Sequence, residues 1–257
     1  MKTKVLILAA TLAANAFAES STAGFFQASE RTIEHACLRG DVTAFAEAVK
    51  PLDEGLARTP GDPALLYTRG YAFYASSALL RRTNDRAALQ QCFESAEGLL
   101  ERVHGAPWEA EADALRANIL GSLIGLQRDP ALAGATLGAK SGRLLAKAAR
   151  EAPGSPRVLL FRGTSLLFTP EAFGGNPAEG AKLIQQAADR FAADDASAPG
   201  PHWGRADALT WLGIAKQKAG DAAGARAAWE QALALEPKYA WVKFALLPSL
   251  DQKQTTR

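Results

Sequence analysis

The chain has 257 residues, 29 Lys plus Arg against 27 Asp plus Glu, 48% hydrophobic residues and two cysteines. Low net charge with ample Leu and Ala excludes a disordered chain, two cysteines exclude a disulfide-stapled miniprotein, and 22 Gly without a period exclude collagen. Ala at roughly a fifth of the chain, with Leu, Gln, Glu, Lys and Arg in excess over Val, Ile and Thr, favours helix, because unbranched side chains keep their rotamer freedom there. The fold class expected is all-α.

The first residues bear on the compartment. Lys2 and Lys4 form a basic n-region, Val5 to Phe17 an apolar h-region, and Ala16-Phe17-Ala18 a small-x-small cleavage site. Cleavage before Glu19 is predicted, so 1–18 reads as a signal peptide and 19–250 as the folded part. The apolar run is shorter than the roughly 20 residues a bilayer span needs. Glu19 stands where a lipoprotein would carry its lipidated Cys, so no lipid anchor is expected. The expectation is a soluble, periplasmic chain in which 27 basic residues balance 27 acidic ones. That neutrality supplies no clustered basic face, so nucleic acid is not an expected partner.

Helix punctuation then recurs, with one device used four times: a capping residue followed by Pro at the first helical position, at Asp62-Pro63, Asp129-Pro130, Ser155-Pro156 and Asn176-Pro177. Asn176 also has Glu179 three residues on, a capping-box spacing. The helices predicted are 29–39, 41–58, 63–81, 85–103, 109–127, 130–151, 156–168, 177–192, 203–219, 221–235 and 238–247. Thr59-Pro60-Gly61, Pro153-Gly154-Ser155 and Gly220-Asp221 are short links, which make consecutive helices antiparallel neighbours. Thr169–Gly175 and Asp194–Pro201 are the longest irregular stretches. Residues 251–257 read as a mobile tail. Cys37 and Cys92 have two readings: a disulfide pinning the first helical units in an oxidising compartment, or two small buried hydrophobes. The Cα separation that decides between them is not in the sequence.

The segment Pro60-Gly61-Asp62-Pro63-Ala64-Leu65-Leu66-Tyr67-Thr68-Arg69-Gly70 aligns without gaps on Pro153-Gly154-Ser155-Pro156-Arg157-Val158-Leu159-Leu160-Phe161-Arg162-Gly163. Each begins with a turn and a capped Pro, continues with large apolar residues and ends in a Gly that admits a neighbouring helix. Helix pairs that cannot bury their apolar faces alone imply a stacked solenoid. The clearest unit is 206–239, with Leu209, Leu212, Gly213, Gly220, Asp221, Ala225, Trp229, Ala232 and Pro237 in order.

This unit resembles a tetratricopeptide repeat, whose period is about 34 residues. The resemblance implies a right-handed α-α superhelix of antiparallel helix pairs. Lys216 departs from the pattern, standing where an aromatic is usual. Residues 63–103 and 156–191 are degenerate copies, the first stretched by Arg81–Asn84 and the second interrupted by the Thr169–Gly175 loop. Residues 109–151 are helical without a repeat signature. Tyr239-Ala240-Trp241-Val242-Lys243-Phe244 reads as a closing helix, with Trp229 and Trp241 expected in the core.

No catalytic constellation is visible. His35, His104 and His202 are isolated, so no metal is expected. Gly163-Thr164-Ser165-Leu166-Leu167 is not a nucleophile elbow, and Gly134-Ala135-Thr136-Leu137-Gly138-Ala139-Lys140-Ser141 lacks the strand and the Gly-Lys step of a phosphate loop. Asp194-Asp195 reads as a solvated loop. The chain is expected not to be an enzyme and to need no cofactor.

The tetratricopeptide resemblance implies that the inner face of the first helix of each pair forms a groove for a peptide or protein segment. The groove candidates are Asp207, Thr210, Trp211, Ile214, Gln217 and Lys218, and Trp211 is equally readable as a packing residue. Arg69 and Arg162 hold equivalent repeat positions and are candidates for anion contact, or for pairing with a neighbouring acid. Phe173, His202 and Trp203 are candidates for the rim of a pocket beside the last repeat; the alternative for Phe173 is a tight helix connection. The function expected is an exported scaffold holding a protein or peptide. Its rivals are a small-molecule binder with an apolar pocket under the Phe173 loop, and an envelope enzyme marked by a Glu of raised pKa in a cleft.

Overall fold

The computed structural model describes residues 24–80, 83, 85–193 and 198–254. The signal-peptide reading, Arg81, Arg82, Asn84 and Asp194-Asp195 lie outside the described residues. Each of the four Pro-initiated helices starts where its cap predicts. The side chains of Asp62, Asp129, Ser155 and Asn176 accept hydrogen bonds from the backbone N–H of Leu65, of Ala131 and Leu132, of Val158 and of Glu179, satisfying donors that the first helical turn leaves free. The capping box at Asn176 is only half made. The Asn176 N–H donates to Leu166 O at 3.0 Å, which ties the turn back to the preceding helix.

The helices are α1 (24–39), α2 (Val42–Arg58), α3 (Pro63–Leu80), α4 (Arg86–Leu100), α5 (Trp108–Ile124), α6 (Pro130–Ala133), α7 (Ala139–Glu151), α8 (Pro156–Phe168), α9 (Pro177–Ala192), α10 (Arg205–Lys218), α11 (Ala222–Leu235) and α12 (Leu247–Gln254). A π-helical turn at Gly134–Gly138 joins α6 to α7, and another at Val242–Leu246 leads into α12. Consecutive helices pair as α3 with α4, α5 with α7, α8 with α9, and α10 with α11. The first members also touch in sequence, α3 on α5, α5 on α8 and α8 on α10, so they form one layer of a stack. This is an all-α, tetratricopeptide-like solenoid. Residues 109–151, which carry no repeat signature, supply a full helix pair in the middle of it. The last helix runs to Gln254, beyond the predicted end at 247 and into the predicted tail.

The unit at 206–239 shows why its residue types are needed. Trp229 is fully buried, and its indole N–H donates to Thr210 O at 3.1 Å. A methyl group on Gly213 would come within 2.1 Å of that ring nitrogen, so only glycine lets α10 and α11 cross here. Three apolar clusters run along the stack: one holds α1 to α8 with Trp203, one the α8–α11 interfaces, and one the C-terminal end around Trp229.

The first helix is placed where no local signal puts it. It is not simply stacked at the N-terminal end. Phe26 lies edge-on to Trp108 of α5, Cys37 belongs to the cluster around Tyr71 of α3, and Leu38 packs with Ala206, Trp229 and Tyr239. A single helix therefore bridges the beginning and the end of the solenoid, across the side formed by α3, α5, α8 and α10.

Candidate functional site

The face of the solenoid made by these first helices is divided in two, and the division follows the ends of α8 and α10. At their N-terminal ends, α1 fills it. Glu30 and Glu34, one helical turn apart on α1, receive the backbone N–H groups of His202 (2.8 Å to Oε2) and Gly204 (2.9 Å to Oε1) in the segment that precedes α10. Beside them Arg157, buried at the start of α8, donates Nε to Glu111 Oε2 at 2.9 Å and Nη1 to Trp203 O at 3.0 Å. The Glu111 carboxylate is completed by the Ser155 hydroxyl at 2.6 Å. At the far end of α1, the buried Glu236 carboxylate takes His35 Nδ1 at 2.6 Å and Arg39 Nε at 2.8 Å. Trp203 is fully buried, stacked on Tyr71 with centroids 4.1 Å apart, and donates its indole N–H to Tyr67 Oη at 3.1 Å.

Burial governs the acid–base state of this half. It pushes the Glu30 carboxyl up to about 8, opposed by the His202 N–H and Arg157. It pushes Glu34 up to about 7, helped by the charge of Asp207. Asp207 is raised by burial too, against the Tyr239 hydroxyl that donates to it at 2.9 Å. A Glu of raised pKa is therefore present, but Glu30 is sealed beneath α1 against backbone and not set in an open cleft.

At the C-terminal ends of α8 and α10 the same face is open. Phe168, the last residue of α8, is 50% exposed and meets Trp211 edge-to-face at 5.5 Å. Trp211 meets Trp241 edge-to-face at 5.7 Å, and Trp241 is 41% exposed, not in the core where the closing helix was expected to put it. Phe244, about one turn beyond, is 72% exposed. Lys218 Nζ sits 5.2 Å over the Phe168 ring and Lys243 Nζ 5.6 Å over Phe244. Neither lysine forms an ion pair among the described residues. The result is a continuous strip of aromatic surface flanked by two available ammonium groups.

The predicted groove residues of α10 divide along this line. Trp211 and Lys218 are on the open strip. Asp207 is partly buried and bonded to Tyr239, and Thr210 is fully buried with its hydroxyl on Ala206 O at 2.8 Å, so neither faces a vacant groove. Ile214 packs into the C-terminal cluster, and Gln217 donates to Ser249 Oγ at 3.1 Å.

The pocket expected from Phe173, His202 and Trp203 does not form. Phe173 is 81% exposed beyond the C-terminal end of α8, whereas the Trp203 carbonyl is bound by Arg157 at the N-terminal end. A 13-residue helix, on the order of 20 Å long, separates them. His202 contributes its backbone N–H to Glu30, and its ring Nε2 lies 2.8 Å from Ala198 O.

Arg69 is spent on Asp53, at 2.6 and 3.4 Å, and lies 4.1 Å over the Phe73 ring, which leaves it no open anion site; Arg162 is partly buried in α8. Cys37 and Cys92 are both free, buried thiols, and Cys92 is bonded to Ser76 Oγ (3.1 Å) and Phe73 O (2.8 Å), so the disulfide reading is corrected to the buried-hydrophobe one. Among the described residues, Glu109, Asp113 and Glu151 are close enough to share a cation. Lys147 already occupies that place, with Nζ at 2.5, 2.7 and 3.8 Å from the three carboxylates. A cleft of about 320 Å³ between α9, α10 and α11 is lined by polar groups that include Gln185, Asp189, Arg205 and Lys216. No helix among the described residues is long and apolar enough to cross a membrane.

No protein-family model matches the chain, and neither does any curated protein. Among solved structures it is similar to the HusA haemophore from Porphyromonas gingivalis, with 24% sequence identity over 74% of this chain and 92% of that one and a TM-score of 0.56. That likeness concerns the fold alone. MamA 41-end from Desulfovibrio magneticus RS-1 aligns over 82% of this chain and 95% of that one at 18% identity, with a TM-score of 0.34, too low an overlap to bear on fold or function.

Proposed function

We propose that this chain is an exported binding scaffold without chemistry of its own, and that it holds an acidic, aromatic-bearing peptide or protein segment on the open strip of Phe168, Trp211 and Trp241. The observation that carries the reading is a run of three contacting rings, Phe168 and Trp241 exposed on either side of the half-buried Trp211, beside two lysines without an ion pair among the described residues, on a face whose other half is filled. Rigid aromatic rings bury large area at low entropic cost, and Trp is enriched where binding energy concentrates. Lys218 and Lys243 select negative charge at the edges and raise the rate of encounter.

A second reading takes a flat aromatic anion, a porphyrin, on the same strip. It is favoured by the likeness to a haemophore and by the apolar aromatic strip itself, whose edge-to-face rings would meet a conjugated plane by face and by edge, with the lysines meeting its carboxylates.

Titration of an acidic Trp- and Tyr-containing peptide library and of haem, against wild type and Trp211→Ala/Trp241→Ala, tests both. Saturable peptide binding weakened at least about tenfold in the double variant supports the first reading; each lost aromatic contact contributes on the order of 1–2 kcal/mol. Binding of haem alone with the same sensitivity selects the second. Binding that ignores both substitutions ends the claim for this strip.

A further inference from the structure

The fill of the N-terminal half of the face is electrostatically lopsided. Four carboxyls gather where α1 lies on the solenoid: Glu30 and Glu34 from α1, Glu111 from α5 and Asp207 from α10. Among the described residues one cation stands with them, Arg157 of α8, and it is committed to Glu111 and the Trp203 carbonyl. The basic side chains of α1 that reach Glu236, His35 and Arg39, are held there at the other end of the helix. Asp207 has the Tyr239 hydroxyl. Glu30 has one backbone N–H on Oε2 and nothing on Oε1, which is buried without a partner; Glu34 has one backbone N–H. A carboxylate buried as Glu30 is, with one donor and with its nearest cation already paired to Glu111, is strongly disfavoured, whereas its neutral acid is tolerated; the half-buried Glu34 shares this bias less strongly.

The helix α1 carries its own C-terminal cap. It joins α2 through Gly40, at φ +77°, and Asp41, whose N–H closes back on Ala36 O. A Gly-centred helix end of this kind satisfies the last carbonyls of α1 without help from the solenoid. Otherwise α1 is held by apolar anchors, Phe26, Ile33, Ala36, Cys37 and Leu38, and by the contacts above, all with partners distant in sequence.

We propose that α1 is a proton-gated strap, docked across the face while Glu30 and Glu34 are neutral and released from it as they ionise. Release would bare Tyr67, Tyr71 and Trp203 and extend the aromatic strip across the whole face. The sign follows from linkage: groups whose pKa is raised by docking bind more protons docked than free, so docking is strongest at low pH. It weakens progressively above the ordinary carboxyl range and is weakest once the pH passes about 8, the upper of the two values.

The test is amide hydrogen exchange of 24–39 in the intact protein between pH 6 and 9, corrected for the intrinsic rate. Protection of α1 should fall at least about tenfold over that range, while α5 and α8 keep theirs. In Glu30→Gln/Glu34→Gln, checked for helicity by circular dichroism at pH 6, α1 should stay protected at pH 9. Protection of α1 that does not change with pH in the wild type overturns the proposal without any variant. So does a simultaneous loss in α5 and α8, which would make the opening global, or a pH-dependent loss that survives in a folded double variant.

Discussion

The N-terminal and C-terminal ends of α8 and α10 belong to the same two helices, yet one pair of ends is buried under the amphipathic helix α1 and the other is left as aromatic surface. Arg157 and Phe168 sit at opposite ends of α8; the first is buried against Glu111, the second is half in solvent. What separates them is the reach of α1, which covers the starts of these helices and stops short of their ends. Aromatic residues thus serve two purposes in one layer: Trp203 is a packing element, and Trp241, less than 40 residues on, is surface. Residue type says little about which role applies; coverage by a distant helix decides it.

The contrast is most severely tested at Arg157. Arg157→Leu removes the cation that pairs with the buried Glu111 and is expected to lower stability by about 3–5 kcal/mol, read from the shift of the urea midpoint at pH 7, because the Glu111 charge is left buried without a counter-ion. A loss below about 1 kcal/mol would mean that this end is open to water. Trp203→Ala should cost about 3–5 kcal/mol by cavity formation, whereas Trp241→Ala, with much of its ring already in water, should cost about 1 kcal/mol or less in the same denaturation. Equal losses would erase the distinction between a filled and an open half. The smallest effect belongs to the lysines. Lys218→Ala/Lys243→Ala should leave the unfolding midpoint within about 0.5 kcal/mol of wild type while weakening an acidic ligand and flattening the salt dependence of its binding. A large drop in stability instead would assign both to the fold.

Much of the fold was legible because its signals are local. A cap needs an acceptor three residues before a free N–H, and all four cap-Pro pairs behave as read. Gly213 and Trp229 announced a helix crossing that is made by their own contact. The paired Arg-Gly steps were half legible. Gly70 and Gly163 both sit where a side chain would collide with the partner helix, at Leu100 and Ile184. Their arginines diverge, since α2 places Asp53 beside Arg69 and no equivalent acid meets Arg162 among the described residues. Repeat position transmits backbone packing, which each helix pair must solve in the same way, and not charge pairing, which depends on whichever neighbour is present.

The candidate site was legible in part for the same reason. Trp211 and Lys218 were found through their repeat positions, but Phe168 lay in a degenerate unit and Trp241 was assigned to the core. Glu30 and Glu34 were missed altogether: two Glu one turn apart on an amphipathic helix are indistinguishable in sequence from an ordinary solvated face. A raised demand for pairing would show only if their partners were known, and those partners are backbone N–H groups 172 and 170 residues away.

The sequence by itself determined the helices, their ends and their pairing into a stack, because those rest on hydrogen bonds and apolar contacts within one or two turns and between chain neighbours. Only the tertiary structure decided that α1 returns to cover half of the face made by α3, α5, α8 and α10. That choice is made by burial and charge at a contact between the two ends of the chain, where no short-range pattern records it.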